Sequence, residues 1–218
     1  VHRIAQQLEE EGLLQREPGG KRFTGGKRLR ALAMATLSNA VIGAPRRSVL
    51  QALSEEVGET CNLTVLDDNE IVYLDRVETN WPYRIHLPVG SHLPLHCTAT
   101  GKLFLAHMKP AARRRLLDSL TLKRYTDLTI TDAAQLELEL DRIADEGVGY
   151  DTGEYLEGMV AIAVPVIGRD GQMCFAIAIH APSVRKSLDE LRQYLPPLRH
   201  AAARMAGLEC SDRGDAAA

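Results

Sequence analysis

Residues 93–106 read Leu93-Pro94-Leu95-His96-Cys97-Thr98-Ala99-Thr100-Gly101-Lys102-Leu103-Phe104-Leu105-Ala106. Small and hydroxyl residues give way to an apolar run, which predicts a helix from about Thr98 to Met108. The first N–H groups of such a helix have no partner inside it. They can receive a carboxylate or phosphate, helped by the helix dipole, or Thr98 can simply cap them. The stretch by itself supports both readings.

Working upstream, residues 88–96 form a Pro/Gly/His loop preceded by a strand near 83–88. Before these come strands at 70–78 and 60–66, turned by Asp67-Asp68-Asn69, and a helix at 46–57 with Val49, Leu50, Leu53 and Val57 inward. Downstream, a helix at 110–120 is basic outside. Another at 132–146 opens on an Asp132/Gln135 capping signal and turns Leu136, Leu140 and Ile143 inward. Strands follow at 148–153, 158–167 and 173–180. A last helix starts at Ser187 with Glu190 as its capping partner, and Pro196-Pro197 must kink or split it. This pattern is α+β, with a mixed, mainly antiparallel sheet of about six strands in a body spanning residues 44–210. Residues 211–218 read as a disordered tail.

The first 43 residues differ in character. Val1, Ile4, Ala5 and Leu8 share one helical face, and Gly12 ends that helix. Leu13 to Glu17 and Lys21 to Thr24 read as strands around the turn Pro18-Gly19-Gly20. A helix followed by a basic hairpin is the second half of a winged helix-turn-helix, assigned to residues 1–25. A helix that begins at the first residue without a cap reads as cut from something longer. Gly25-Gly26 then breaks the pattern. A linker helix within residues 26–43 carries the stripe Leu29, Leu32, Ala33, Thr36 and Leu37, apolar enough to pair with a second copy. Gly43-Ala44-Pro45 should end it.

Charge supports the division. Residues 1–30 hold seven Lys/Arg against four Glu, a net +3, while the other 188 residues hold 19 against 25, a net −6. A basic end on an acidic body suits a phosphate-contacting tip, or a solvated surface. With 45% hydrophobic and 25% charged residues, disorder and fibrous classes are excluded. The longest apolar run, Met159 to Ile167, is strand length, so no membrane partner is expected. Cys61, Cys97, Cys174 and Cys210 are scattered without a CxxC, and a reducing cytoplasm is the natural setting.

Catalytic motifs are lacking: there is no GxSxG, Walker loop, HExxH or GxGxxG. Gly147-Val148-Gly149 leads into a strand, and reads as a helix C-cap and turn rather than a phosphate loop. His96-Cys97 cannot easily face one another as base and nucleophile. His92, His96, Cys97, Asp151 and His180 fit no standard metal spacing. No catalytic residue, metal site or cofactor is therefore expected. Ala161, Ala163, Ala176 and Ala178 alternate on their strands, which leaves room either for a ligand or for a close-packed helix.

Three segments together resemble the IclR family of bacterial transcriptional regulators. Val1-His2-Arg3-Ile4 with Leu8-Glu9-Glu10-Glu11-Gly12-Leu13-Leu14 is similar to its recognition helix and following strand. Residues 93–106 look like its signature loop and helix, and Gly147-Val148-Gly149-Tyr150-Asp151 with Gly158 to Val166 like its effector-domain core. The resemblance implies a partial winged helix-turn-helix, a linker helix used for dimerisation, and a GAF-like effector domain. Expected partners are double-stranded operator DNA, a small-molecule carboxylate effector and further copies of the chain, as a dimer or dimer of dimers. His2 and Arg3 should meet base edges or phosphates in the major groove, and Lys21 and Arg22 should contact phosphates or the minor groove. By position, Ala99, Thr100, Asp151, Ala161, Ala163, Ala178 and His180 match pocket-lining residues. Gly101 adds an N–H at the helix start, and Leu87, Val89 and Leu93 add a roof. Ala178 and His180 stand where relatives that take very small acids often carry hydroxyls, which points to a larger or aromatic acid. The competing classes are a GAF-like enzyme using Cys97 or Asp151, and a signalling module without DNA.

Overall fold

The computed structural model describes residues 2–16, 22–37, 40–81 and 87–211. They divide into two compact units, residues 1–44 and 45–218.

In the first unit, helix α1 (His2–Glu10) gives way to strand β1 (Leu14–Arg16), strand β2 (Phe23–Gly25) and helix α2 (Lys27–Leu37). Gly12 at φ +69° allows the chain to leave α1, and the Leu13 N–H closes the helix end on Leu8 O. β1 and β2 pair antiparallel, and the Arg16 guanidinium lies over the Phe23 ring at 4.9 Å. Gly25, expected as a breaker, instead belongs to β2 opposite Leu14. The expected hairpin tip, with Glu17 and Lys21, lies outside the described residues. α2 buries none of its residues within the chain, and Leu29 and Leu32 are exposed.

Helix α3 (Ala40–Val57) runs through Pro45, where the sequence predicted a break. Proline removes one N–H from the helix ladder. The turns beyond it are held by the burial of Val49, Leu50, Leu53 and Val57, which outweighs that loss.

The second unit is built on strands β3 (Thr60–Asp67), β4 (Glu70–Val77), β5 (His92–Pro94), β6 (Gly149–Asp151), β7 (Met159–Ile167) and β8 (Met173–Pro182), in the spatial order β5-β4-β3-β8-β7-β6. Every neighbouring pair is antiparallel, so the sheet is not mixed as expected. Short turns join β3 to β4 and β7 to β8, and such links permit only antiparallel pairing. The expected strand near 83–88 falls largely on residues 82–86, outside the described residues, and Leu87 and Pro88 are not in a strand. The sixth strand is β5, read from sequence as loop. Its Pro94 is tolerated because β5 lies at the sheet edge.

Helix α8 (Leu195–Ser211) covers the face of β7 and β8 that carries Ile162, Val164, Ile177 and Ile179, and buries Leu198, Ala201, Ala202 and Met205. The short helix α7 (Leu188–Arg192) begins in the expected Ser187/Glu190 capping box. Pro196 and Pro197 fall in the first turn of α8, where a missing N–H costs little, so the last helix is split. On the opposite face lie helix α4 (Ala99–His107) and, beyond it, helix α6 (Ala133–Glu146). Ala99 and Leu103 join Ala161, Ala163, Ala176, Ala178, Leu136, Leu140 and Ile143 in one buried cluster. Helix α5 (Pro110–Ser119) lies between them in sequence. α6 starts on Asp132, which accepts the Gln135 N–H, and ends at Gly147 in the left-handed conformation, the cap that the sequence suggested.

Candidate functional site

The alternation of small residues on β6, β7 and β8 produces two parallel rows with different fates. In the first, Gly149, Ala163, Ala178 and Asn62 stand directly across from one another on four adjacent strands. α4 packs onto this row. A Cβ on Gly149 would lie 2.1 Å from Ala99 O, so only glycine admits the helix at that distance. Here the alanines serve a close-packed helix, one of the two readings the sequence left open.

Two residues along, the second row runs Asp151, Ala161, His180, Thr60 across the same strands. This row borders a cavity. Its empty space, counting the open mouth, is about 580 Å³. Asp151, His180 and Thr60 line it, with Thr98 and Thr100 at the start of α4 and Leu87 and Leu93 on another side. The pairing Thr60–His180 brings together residues 120 positions apart.

Of the expected binding residues, Leu87, Leu93, Thr100, Asp151 and His180 meet on this wall. The others do not. Val89 is 47% exposed and is not on the lining. Ala99, Ala161, Ala163 and Ala178 are buried under α4 and the sheet rather than on the lining. The Gly101 N–H is already taken by Thr98 Oγ1 at 3.1 Å, and Thr98 in turn donates to Pro94 O at 2.8 Å. At this helix start the lining therefore offers a ligand Thr100, and the Gly101 N–H is already taken. The sequence reading missed Thr60, Tyr73, Arg76, Tyr155, Met159 and Arg185, all on the wall. No local motif marks them: strand register and the loop after Asp151 bring them in.

The electrostatics of the wall follow from burial. Asp151 Oδ1 accepts the N–H groups of Gly153 at 2.9 Å and Glu154 at 2.8 Å. Burial, followed by the charge of Glu154, nevertheless pushes its carboxyl up to about 7, against the opposing pull of those N–H groups and Lys102. Burial and the charge of Arg76 hold His180 down to about 3, so its ring is neutral. His180 Nε2 is buried without a hydrogen-bond partner, and its ring meets Tyr73 edge-on with centroids 6.4 Å apart. Burial also pushes the Tyr73 hydroxyl up to about 12. Two guanidiniums on the wall are already held: Arg76 donates to the Glu78 carboxylate and the Asn62 amide oxygen, both at 2.9 Å, and Arg185 grips the Glu59 carboxylate through two nitrogens at 2.7 and 2.6 Å.

Behind the wall, Lys102 is 1% exposed and its ammonium contacts Glu154 and Glu139. A buried lysine is accommodated by such pairing. Nothing in the site favours covalent chemistry. His96 Nε2 is engaged with Lys123 O at 2.9 Å, and burial pushes the Cys97 thiol well up, away from the thiolate a nucleophile needs. Among the described residues no cluster of three His, Cys, Asp or Glu could hold a metal, and no helix is long and apolar enough to cross a membrane.

In the first unit, Arg3 is exposed in the first turn of α1 and Arg22 is exposed just before β2. His2 opens α1, with its side chain outside the described residues, as Lys21 is altogether.

The family model "Bacterial transcriptional regulator IclR C-terminal" matches residues 34–206. The chain is 45% identical to "Probable transcriptional regulator SauR" of Cupriavidus necator, over 96% of this chain and 83% of that protein. It is 31% identical to the "HTH-type transcriptional regulator KdgR" of Escherichia coli K12, over 94% and 77%. Among solved structures, the inducer-binding domain of a PobR double mutant from Acinetobacter, in complex with 3-hydroxybenzoic acid, superposes with a TM-score of 0.68 at 30% identity, covering 73% of this chain and 94% of that one. The antiparallel sheet, the helix packed on its alanine row and these matches lead to one conclusion: the chain belongs to the IclR family of bacterial transcriptional regulators, and its relatives are regulators rather than enzymes.

Proposed function

We propose that this chain is a ligand-responsive, DNA-binding regulator acting in the cytoplasm, and that its second unit senses a small organic acid to control a catabolic operon. The observation that carries the reading is the cavity at the capped start of α4, where the unpartnered His180 Nε2 and the Asp151 carboxyl share one wall with Thr100. A carboxylate meets the start of α4 at Thr100, and Leu87, Leu93, Leu156 and Met159 receive its apolar part. The apolar side of the wall, with the Tyr73 and Tyr155 rings, suits a hydroxylated aromatic or medium-sized acid better than a two-carbon one, and the hydroxyls and charged groups opposite give its polar atoms partners. The 3-hydroxybenzoic acid held by the PobR domain supports this choice.

In the first unit, α1 acts as recognition helix with His2 and Arg3 toward the major groove, and the β1–β2 hairpin acts as wing with Lys21 and Arg22 on phosphates. The exposed Leu29 and Leu32 of α2 supply a face for a second copy, in a dimer or a dimer of dimers. Fluorescence anisotropy with DNA from upstream of its own gene tests the whole reading. Specific binding that shifts at least fivefold with one organic acid supports it. DNA binding indifferent to every acid, or turnover of an acid by the protein, overturns it.

A further inference from the structure

Asp151 sits in an unusual place for an anion site. Among the described residues lining the cavity it is the sole acid. Its Oδ1 is committed to the Gly153 and Glu154 N–H groups, while Oδ2 receives no hydrogen bond from a described residue. The wall across Ala161 offers the neutral His180, whose buried Nε2 also lacks a partner. A carboxylate ligand seated at the start of α4 therefore faces a carboxyl group that must either repel it or carry a proton.

We propose that Asp151 is a specificity-determining residue that takes up one proton from solvent when an acid binds, and donates a hydrogen bond from Oδ2 to an oxygen of the bound carboxylate. The inference rests on the reading of the cavity as an organic-acid site. No covalent bond changes: the proton passes from water to Oδ2, and the ligand enters as its anion. The cavity then keeps a net charge that an anion tolerates, and Asp151 selects ligands with an acceptor oxygen over amines or neutral donors.

The surroundings favour uptake at Asp151 over other groups. Glu154, in the same loop, lies beside Asp151 and adds negative charge, with Glu139 on α6 behind it. Lys102 on α4 opposes them, but its ammonium is shared between these two glutamates. On β4, Arg76 is held by Glu78 and Asn62, and the Tyr73 hydroxyl is pushed up by burial. Cys97, ahead of α4, and Tyr155, beyond the loop, are both pushed up by burial and stay neutral. On β8, His180 is held neutral far below the working pH, and Arg185 beyond it is gripped by Glu59. Burial pushes the Glu154 carboxyl up as well, but Glu154 is not on the cavity lining, whereas Asp151, with its carboxyl near 7 before any ligand arrives, is. A nearby anion raises it further.

Isothermal titration of the full chain tests this with a panel of acids from acetate to 3-hydroxybenzoate, between pH 6 and 8.5 in two buffers of different ionisation enthalpy. The expected result is affinity nearly constant near pH 6 that falls toward tenfold per pH unit above pH 7, with uptake approaching one proton per acid at pH 8. In Asp151→Asn, uptake and pH dependence should both vanish. Binding by the wild type without proton uptake overturns the role of Asp151 and leaves the acid-site reading intact, and so does uptake that persists in Asp151→Asn. If no acid of the panel binds, the site reading itself falls and the proposal with it.

Discussion

Asp151 and His180 stand on opposite sides of Ala161, each directly paired with it across three adjacent strands. The strand spacing puts their Cα atoms about 10 Å apart, with only a methyl group between them. Ala161 is itself buried and off the lining, so a leucine there must displace the flanking Asp151 and His180 that do line the cavity. Ala161→Leu should cost about 1–3 kcal/mol of stability through overpacking and lower acid affinity at least tenfold. Thermal melts with and without ligand separate the two effects.

Gly149 is fixed by the approach of α4. With Ala99 O 2.1 Å from the position of an added Cβ, Gly149→Ala must push the helix off its row. A loss of about 1–3 kcal/mol is expected, which lowers Tm by about 2–4 °C per kcal/mol in a unit of this size. An unchanged melting temperature would mean that α4 does not lie where described.

Glu59 is 2% exposed and depends on Arg185. Arg185→Met strands its charge and should cost about 3–5 kcal/mol in urea unfolding. The double substitution with Glu59→Gln should cost less than the sum of the single ones, because the buried charge is then gone as well.

The stability of the chain should carry a signature of Asp151. Its folded pKa, about 7, lies above the unfolded value of 3.8. The folded state therefore holds the proton more tightly. This contribution is intact below pH 3.8, falls as pH rises to 7 and is flat above. At 1.4 kcal/mol per unit the window amounts to about 4 kcal/mol. Measured against Asp151→Asn, the wild type should lose that much stability between pH 4 and pH 7.5. Parallel curves would show that Asp151 is not buried as described.

On DNA, Lys21→Ala should weaken binding to all sequences and reduce the salt slope by about 1, whereas Arg3→Ala should cost about 1–3 kcal/mol at a specific site if Arg3 reads a base. Salt titrations of both variants distinguish the two roles.

Much of this architecture was written locally. Asp67-Asp68-Asn69 between two apolar runs marks the β3–β4 turn, Thr98 marks the start of α4, and Ser187 with Glu190 the start of α7. Each depends on residues within a few positions of one another, which a linear reading can see. Pro94 and Pro45 misled it because proline is excluded only from central strands and from helices that packing does not hold. The cavity was half legible. Alternation put Ala161, Ala163 and Ala178 on one face, but only the register of β6, β7 and β8 shows that α4 covers Ala163 and Ala178 while Asp151 and His180 flank open space. Thr60, Arg76 and Arg185 escaped because pairings with distant strands and the turn after β8 carry them to the wall.

A thermal-shift measurement with organic acids tests most directly whether the cavity is an acid site. An acid at a hundred times its Kd should add about 2.7 kcal/mol, a rise of about 5–10 °C for the second unit, and Ala161→Leu should abolish the rise. Stabilisation by apolar amines and by no acid, or an equal rise in Ala161→Leu, would contradict it.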